Sequence, residues 1–254
     1  MSPFEFVPLA AIPATVRVGR GEGRLNLAAI DGAAVPGGRL RVLLGPRIVG
    51  KRYFRLQLDG DDGPRRFVEA LYNDGLYPGQ NWIEIYDMER PAPLAGEEHF
   101  APALAPYLRP VADAIPAGGH LMAEYEKLDW HTTQRGLLAG IPPVATPLGA
   151  LLFDLGVGDS FKDWYFPEGG MEGNRKLQGN RAYTDEQRAE MASKRATEVI
   201  EFLAGPQRAP AEIDARARED AARVLESLRE RLAAPPTPAL NGALEGQGAA
   251  DQQD

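Results

Sequence analysis

The stretch that decides the fold is residues 119–166, GHLMAEYEKLDWHTTQRGLLAGIPPVATPLGALLFDLGVGDSFKDWYF. The alternation in 119–127 is typical of a strand, while 131–140 and 146–156 have the length and apolar spacing of short helices that a glycine can end. Residues 160–166 again indicate a strand. The predicted order is strand, helix, helix, strand, which is typical of a sheet with helices packed on it.

The sequence before this stretch predicts further elements. Residues 39–58, RLRVLLGPRIVGKRYFRLQL, indicate a hairpin of two strands. We expect a short helix at 65–75 and a strand at 80–87. In 97–119 prolines recur at helical spacing and each removes a backbone donor, so the helix there is expected to be interrupted. Together these elements predict the fold class α/β (α+β).

From Thr184 onward the sequence pattern is that of helices and no longer of strands. A T-D-E-Q capping box at Thr184 predicts the start of one helix, and 211–232 carries the apolar stripe of a second. Residues 235–254 are rich in Pro, Ala, Gly and Gln, which predicts disorder. The expected division is a domain over 1–182, a helical extension over 183–234 and a tail over 235–254. The two helices are candidates for binding a protein partner or for self-association.

Composition limits the classes of function. The net charge is −8 and argues against binding nucleic acid. The absence of cysteine excludes disulfides and thiolate metal sites, and it fits the cytoplasm, where we expect the protein. Only three histidines are present, so no metal is expected. Prolines interrupt the N-terminal apolar residues, and no later stretch is long enough to cross a bilayer, so no membrane association is expected.

Two carboxylates in the strand at 119–127 are candidates for acid–base chemistry. Because side chains alternate across a strand, Glu124 and Glu126 lie on the same face as Met122. If the pair were buried, one carboxyl would have its pKa raised and could act as a general base. A sheet whose outer face is simply solvated is the alternative.

The start of the next helix is a candidate anion site. Free backbone amides point outward from the first turn of a helix, and here that turn follows a strand directly. The candidate cofactor-binding residues are His131, Thr132, Thr133, Gln134 and Arg135. The alternative is that these residues only cap and pack the helix.

The segment 163–180, DWYFPEGGMEGNRKLQGN, is a candidate site loop. Its glycines allow close approach of backbone to a ligand, and it carries charges of both signs. An ordinary solvated turn is the alternative. The candidate residues are Tyr165 as a proton donor, Glu168 as a catalytic carboxylate, and Glu172, Arg175 and Lys176 for substrate binding.

The block EYEKLDWHTTQRGLLAGIPPVATPLGALLFDLGVGDSFKDWYFPEGGMEGNRKLQG resembles a bacterial and archaeal family known only as a domain of unknown function, which is similar to the GNAT acyltransferase fold. The resemblance covers roughly residues 36–182. It implies a mixed, mainly antiparallel sheet flanked by helices, with the C-terminal helices as an extension. It also implies that the helix at 131–140 receives the pyrophosphate of coenzyme A.

The resemblance implies an acyl-CoA-dependent N-acyltransferase acting on an unassigned amine or other small molecule. Glu126 or Glu124 would accept the proton of the amine, and Tyr165 would protonate the leaving thiolate. One alternative is a noncatalytic module that binds a ligand or a protein. A second is metal-assisted hydrolysis, which would require Glu124, Glu126, Glu168 and Glu172 to converge.

Overall fold

The computed structural model describes residues 5–11, 25–74, 81–91, 94, 101–116, 118–124, 130–156, 160–164, 176–180 and 185–233. Within them, seven strands have five or more residues and two have two residues. In chain order the strands are β1 (Val7–Pro8), β2 (Ala34–Val35), β3 (Gly38–Ile48), β4 (Lys51–Gly60), β5 (Gly63–Asn73), β6 (Trp82–Met88), β7 (His120–Glu124), β8 (Ser160–Trp164) and β9 (Lys176–Asn180).

The strands form one mixed sheet in the order β1-β3-β4-β5-β6-β7-β9-β8, with β2 also paired to β3. Among the described strands only β6 and β7 pair in parallel, and every other pairing is antiparallel. The prediction of a mixed α/β fold is therefore confirmed, and so is its mainly antiparallel sheet. The hairpin predicted at 39–58 is β3 and β4, joined by the turn at Val49 and Gly50.

Six α-helices lie in the described part of the chain. They are α1 (Leu27–Ile30), α2 (Ala105–Asp113), α3 (Trp130–Leu138), α4 (Pro147–Asp154), α5 (Asp185–Ala204) and α6 (Ala211–Ala233). Three 3-10 helices accompany them, at Leu9–Ala11, Pro102–Leu104 and Pro143–Ala145. None of the described helices combines the length and the apolar character that crossing a membrane requires.

The hydrophobic core lies on one face of the sheet, which we call the core face. Neighbouring strands place one row of buried side chains there, because cross-strand partners share a face. The row runs through Leu44, Phe54, Ala70, Ile85 and Ala123. Helices α1, α2 and α4 cover this row with buried leucine, isoleucine and valine. We call this cluster the sheet core.

Helix α4 separates the sheet core from a second apolar cluster. Its Leu148, Leu151 and Leu152 pack into the sheet core, whereas Ala150 and Phe153 face α5 and α6. All five side chains are at most 1% exposed, as expected for a helix buried on every side. We call the second cluster, between α4, α5, α6 and the 3-10 helix at Pro143–Ala145, the hairpin core.

The helices end where the sequence signals predict. Thr146 caps α4 through its side chain, which accepts a hydrogen bond of 3.2 Å from the amide of Gly149. Gly140 and Gly156 follow α3 and α4 with φ of +79° and +74°, the left-handed conformation that glycine adopts without strain. Local chemistry therefore sets the limits of both helices in the 119–166 stretch.

Two elements differ from the predictions. The helix expected at 65–75 is wrong: these residues belong to β5, which pairs with β4 on one side and β6 on the other. Hydrogen bonds to both neighbours and burial of Phe67, Val68 and Tyr72 outweigh the local helical pattern. The last residues of the candidate site loop, Lys176–Asn180, form β9 between β7 and β8.

The C-terminal helices form an antiparallel pair that packs on α4 and on the 3-10 helix at Pro143–Ala145. The predicted helical extension after the sheet is thus present. Its separation from residues 1–182 as a domain stays a prediction, as does disorder in 235–254, which lies outside the described residues.

Candidate functional site

The face of the sheet opposite to the core face is chemically different, and we call it the polar face. Side chains alternate along a strand, so residues between the core positions point there. In β4, β5 and β6 it carries Tyr53, Arg55, Glu69, Glu84 and Tyr86. Glu69 and Glu84 are only 6% and 5% exposed, which is uncommon for carboxylates. A buried charged group needs partners, and buried charged groups are concentrated at functional sites, so this face is a candidate functional site.

Glu69 is the centre of a hydrogen-bonded network. The Nε and Nη2 of Arg55 both donate to its Oε1, the former at 3.1 Å. The hydroxyl of Tyr86 donates to Oε2 at 3.3 Å, and Nη1 of Arg66 lies 3.5 Å from Oε1. Both oxygens of the carboxylate are therefore engaged by partners from three neighbouring strands.

The network sets the protonation states of its members. Burial alone would raise the pKa of Glu69, but the hydrogen bond and charge of Arg55, with the charge of Arg66, lower it below its ordinary value. Burial raises the pKa of Tyr86, and the negative charge of Glu69 raises it further. At neutral pH the pair is therefore a carboxylate and a protonated phenol that donates to it.

Aromatic rings flank this network. The guanidinium of Arg55 lies 4.2 Å from the ring centroid of Phe6, a cation–π contact. A Cβ at position 45 would lie 2.9 Å from Cε1 of Phe6, so Gly45 makes room for the ring. Tyr53 and Tyr86 meet edge to face, with centroids 5.9 Å apart. The N-terminal residues thus hold an aromatic ring on top of the charged pair.

Arg66 extends the network to the end of β6. Its Nε is 2.5 Å from Oε1 of Glu89, and its Nη1 is 3.2 Å from Oδ2 of Asp87. The hydrogen bond with Glu89 raises the pKa of Arg66 against the opposing effect of burial, and the charges of Asp87 and Glu69 raise it further. Arg66 therefore ties the polar face to the chain that leaves the carboxyl end of β6.

The parallel pair brings the carboxyl ends of two strands together, at the edge of the sheet where these strands stop. Because β6 and β7 run in the same direction, both reach their carboxyl ends there, at Met88 and Glu124. Glu124 is also the register partner of Lys176, the first residue of β9. The described backbone thus places two predicted site residues directly opposite each other, and β8 ends at Trp164 on the next strand but one. In open α/β sheets ligands commonly bind outside the carboxyl ends of parallel strands, so this edge is a candidate site.

Helix α3 contains all five of the predicted cofactor-binding residues. Thr133 is fully buried, and its hydroxyl accepts a hydrogen bond of 3.3 Å from the amide of Leu148. Gln134 is buried, Thr132 is half-buried and Arg135 is exposed, while the side chain of His131 is outside the described set. The threonine and glutamine therefore hold α3 against the rest of the fold. Binding of an anion by this helix stays a prediction that concerns its backbone amides and Arg135.

The remaining predicted site residues lie outside the described residues. They are Glu126, Tyr165, Glu168, Glu172 and Arg175. Their roles stay predictions, and so does the shared pocket of Glu126, His131 and Glu168. In the part of the chain that the structure describes, no three histidine or carboxylate side chains group as a metal centre would require.

Sequence reasoning did not single out Glu69, Arg55 and Tyr86. Glu69 was placed on a helix, and no local pattern marks it as buried. The sequence feature that could have identified Glu69 and Arg55 is an arginine in one strand opposite a glutamate in the next, because opposite charges favour cross-strand positions. That signal can be used only once the register of β4 and β5 is known.

Residues 39–205 match the DUF1122 family, described as a protein of unknown function. No curated protein matches the sequence. Among solved structures, one that is similar is a protein of unknown function, AQ1966 from Aquifex aeolicus VF5. It is 24% identical, with 78% of this chain and 93% of that chain covered and a TM-score of 0.53. At this identity the likeness concerns the fold alone.

The fold and the polar face define a mixed α/β protein with a buried charged network on its sheet and a helical hairpin on its core side. Since the matched residues make up more than half of the chain, it belongs to the DUF1122 family.

Proposed function

We propose that this protein is an acyl-CoA-dependent N-acyltransferase on a GNAT-like fold, acting at the carboxyl edge of β6 and β7. The observation that carries the proposal is the parallel pair within an otherwise antiparallel sheet. Where two parallel strands end side by side, backbone groups and following helices face a common crevice. An elongated thioester with an anionic end fits such a crevice, with its phosphates near the amides at the start of α3.

The reaction would transfer the acyl group directly to an amine. The amine nitrogen attacks the thioester carbonyl, a C–N bond forms, the C–S bond breaks and the thiolate leaves. Glu124 or Glu126 takes the proton of the amine, and Tyr165 protonates the thiolate. Glu168 is a further carboxylate for the reaction, while Glu172, Arg175 and Lys176 would contact the substrate.

The polar face supports an amine as the acceptor. It holds Glu69 and Glu84 in a buried setting beside the edge where Glu124 lies. Glu69 is neutralised by Arg55 and Arg66, so the network forms a fixed polar wall and does not itself supply a base. An amine approaching along this wall would meet hydrogen-bonding groups of fixed orientation, which favours catalysis.

The decisive experiment combines binding and turnover on the full chain. Acetyl-CoA should stabilise the protein in thermal unfolding, by about 2.7 kcal/mol at a hundredfold its dissociation constant. ADP, which has the nucleotide but lacks pantetheine, should stabilise it less. Release of the CoA thiol is then followed against a panel of primary amines.

Two substitutions test the assigned base. Glu124→Gln and Glu126→Gln are expected to leave unfolding unchanged, and one of them should reduce turnover by about a hundredfold, the scale of general-base catalysis. Glu226→Gln, at an exposed position of α6, is the matched control. Full turnover in both test variants would contradict the assignment of the base. No stabilisation by any acyl-CoA would contradict the function.

A noncatalytic binding module is the second candidate. The mutual neutralisation of Glu69 and Arg55 favours it, because a buried pair whose charges are satisfied contributes to specificity without offering a reactive group. Binding of CoA with no turnover of any amine would support this alternative.

A further inference from the structure

A cavity opens at the edge of the sheet where β6 ends, with an apolar floor from the core side and a charged rim that includes Arg66 and Glu89 of the polar-face network. It has a volume of about 280 Å³ and lies between the turn before β3, the turn joining β4 and β5, and the chain that leaves β6. This volume is close to the lower end for small-molecule sites, which favours a compact ligand.

The floor of the cavity is apolar and belongs to the sheet core. Phe67 is 1% exposed, Pro91 is buried and Leu58 packs against the same cluster. The ring of Tyr107 in α2 lies behind Phe67, with centroids 5.8 Å apart. A floor that is packed from behind keeps its shape when a ligand binds, so little ordering cost is added.

Glycines line the mouth of the cavity. A Cβ at Gly60 would lie 2.7 Å from the carbonyl oxygen of Gly37, so the two backbones approach too closely for a side chain. Gly37 and Gly63 have φ of +75° and +91°, which few other residues adopt without strain. The mouth is therefore formed by backbone, and access to the floor does not depend on the movement of large side chains.

The rim carries equal numbers of both charges: the arginines 65, 66 and 90 and the acids Asp61, Asp62 and Glu89. Arg66 and Glu89 are engaged with each other at 2.5 Å. Arg65 pairs with Asp62 at 3.1 Å, but both side chains are more than half exposed, so this bond is weak and easily replaced. A ligand of one sign would be attracted by half of this rim and repelled by the other half.

We propose that the cavity binds a small zwitterion with an apolar body, the chemistry of a free α-amino acid such as leucine, methionine or phenylalanine. The apolar side chain lies on Leu58, Phe67 and Pro91. The ammonium group meets the acidic side of the rim at Asp61 and Asp62, and the carboxylate meets Arg65 and Arg90. This proposal does not rest on the acyltransferase function, because the apolar floor of the cavity, Leu58 and Phe67, belongs to the sheet core; its rim residues Arg66 and Glu89 also belong to the network of the polar face.

The test compares three probes on the full-length protein by isothermal titration calorimetry. L-Leucine carries both charges, N-acetyl-L-leucine lacks the ammonium group and L-leucinamide lacks the carboxylate. L-Leucine is expected to bind about tenfold more tightly than either blocked probe, because each lost charge pair weakens binding by a factor of that order.

Substitutions of two exposed rim residues, Asp61 and Arg90, test the ammonium contact and the carboxylate contact separately. Asp61→Asn should weaken L-leucine and L-leucinamide severalfold and leave N-acetyl-L-leucine unchanged. Arg90→Gln should weaken L-leucine and N-acetyl-L-leucine and leave L-leucinamide unchanged. Arg229→Gln, an exposed arginine of α6, is the control and should change nothing. Both test positions are exposed, so the variants should fold normally.

Equal affinity for all three probes, or affinities that neither substitution alters, would overturn the proposal. So would the absence of saturable binding of leucine, methionine and phenylalanine at about 10 mM, since a weaker complex corresponds to less than about 3 kcal/mol.

Discussion

The sheet core and the hairpin core share helix α4 as a wall, yet they are built from different side chains. The sheet core is made mostly of leucine, isoleucine, valine and large aromatic residues. The hairpin core has a larger share of alanine, which occupies four of its ten positions in α5 and α6, and Phe202 is its large side chain in α5. Small side chains bring helices close together but bury less apolar area for each residue.

The hairpin core compensates with buried charges. Asp214 and Asp220 are 5% and 2% exposed and pair with arginines of the same helix. Arg218 also donates to the carbonyls of Leu203 and Gly205, the last turn of α5 and the residue after it, at 2.9 and 3.0 Å. Polar contacts from α6 therefore cap the end of α5. In the sheet core Arg109 of α2 caps the end of α4 in the same way, through the carbonyl of Leu155, but the clustered side chains themselves are apolar.

Helix α4 packs into both clusters, so a substitution that displaces it should destabilise both. The largest loss of stability is therefore expected there. A Cβ at Gly149 would lie 1.7 Å from the carbonyl oxygen of Pro143, so Gly149→Ala must push α4 away from the 3-10 helix. We expect a loss of about 3 kcal/mol or more in the free energy of unfolding, measured by chemical denaturation.

Gly136→Ala is the matched control, because Gly136 is also in a helix but its nearest neighbour is the flexible end of Ile141 at 3.3 Å. Alanine favours a helix over glycine by about 1 kcal/mol, so this variant should be neutral or more stable. Equal destabilisation by the two alanines would show that α4 is not held against the 3-10 helix as described.

The two clusters also differ in how well sequence predicts them. The helices around α4 are predicted because each is marked locally, by Thr146 at one end and by Gly140 and Gly156 at the others. Strand β5 is not, because Val68 and Tyr72, four residues apart, can share one side of a helix or one face of a strand, and only the pairing with β4 and β6 decides between them.

The candidate site shows the same limit. Glu124 and Lys176 were predicted separately from local sequence, but their pairing depends on β9, which sequence did not predict. Glu69 and Arg55 are 14 residues apart and become partners only through the register of two strands. Local sequence shows which residue types are present, but the contacts that determine their protonation and pairing join residues far apart in the chain.

The polar contacts of the hairpin core give the second prediction. Asp214 accepts from the amide of Arg208 at 2.9 Å and from Nε of Arg218 at 2.6 Å. Asp214→Asn keeps the shape but removes the charge, so we expect a loss of about 2 kcal/mol in the free energy of unfolding. Glu219→Gln, an exposed position in the same helix, should lose almost nothing.

The pH dependence checks the cause. Burial alone would raise the pKa of Asp214, but its bonds with Arg208 and Arg218 lower it. The ionised form is therefore favoured by folding, and its contribution is complete above the ordinary pKa of about 3.9 and lost as pH falls through the lowered value. Below about pH 4 the wild type should lose stability more steeply than Asp214→Asn. Parallel curves for the two proteins would contradict this role.

The smallest effect is expected far from both clusters, at the turn between β3 and β4, and it has the opposite sign. Val49 and Gly50 have φ of +47° and +71°, the two positive values of a type I′ turn. Val49 is 79% exposed, so no packing compensates for a β-branched residue in the left-handed region.

Val49→Asn creates the Asn-Gly pair that this turn prefers and should stabilise the protein by about 1 kcal/mol. Thermal unfolding should show this as a rise of about 3 °C in Tm. Val49→Thr also places a polar group at the surface but keeps the branch at Cβ, and it should leave Tm unchanged. If threonine stabilised as much as asparagine, surface polarity and not backbone strain would be the cause.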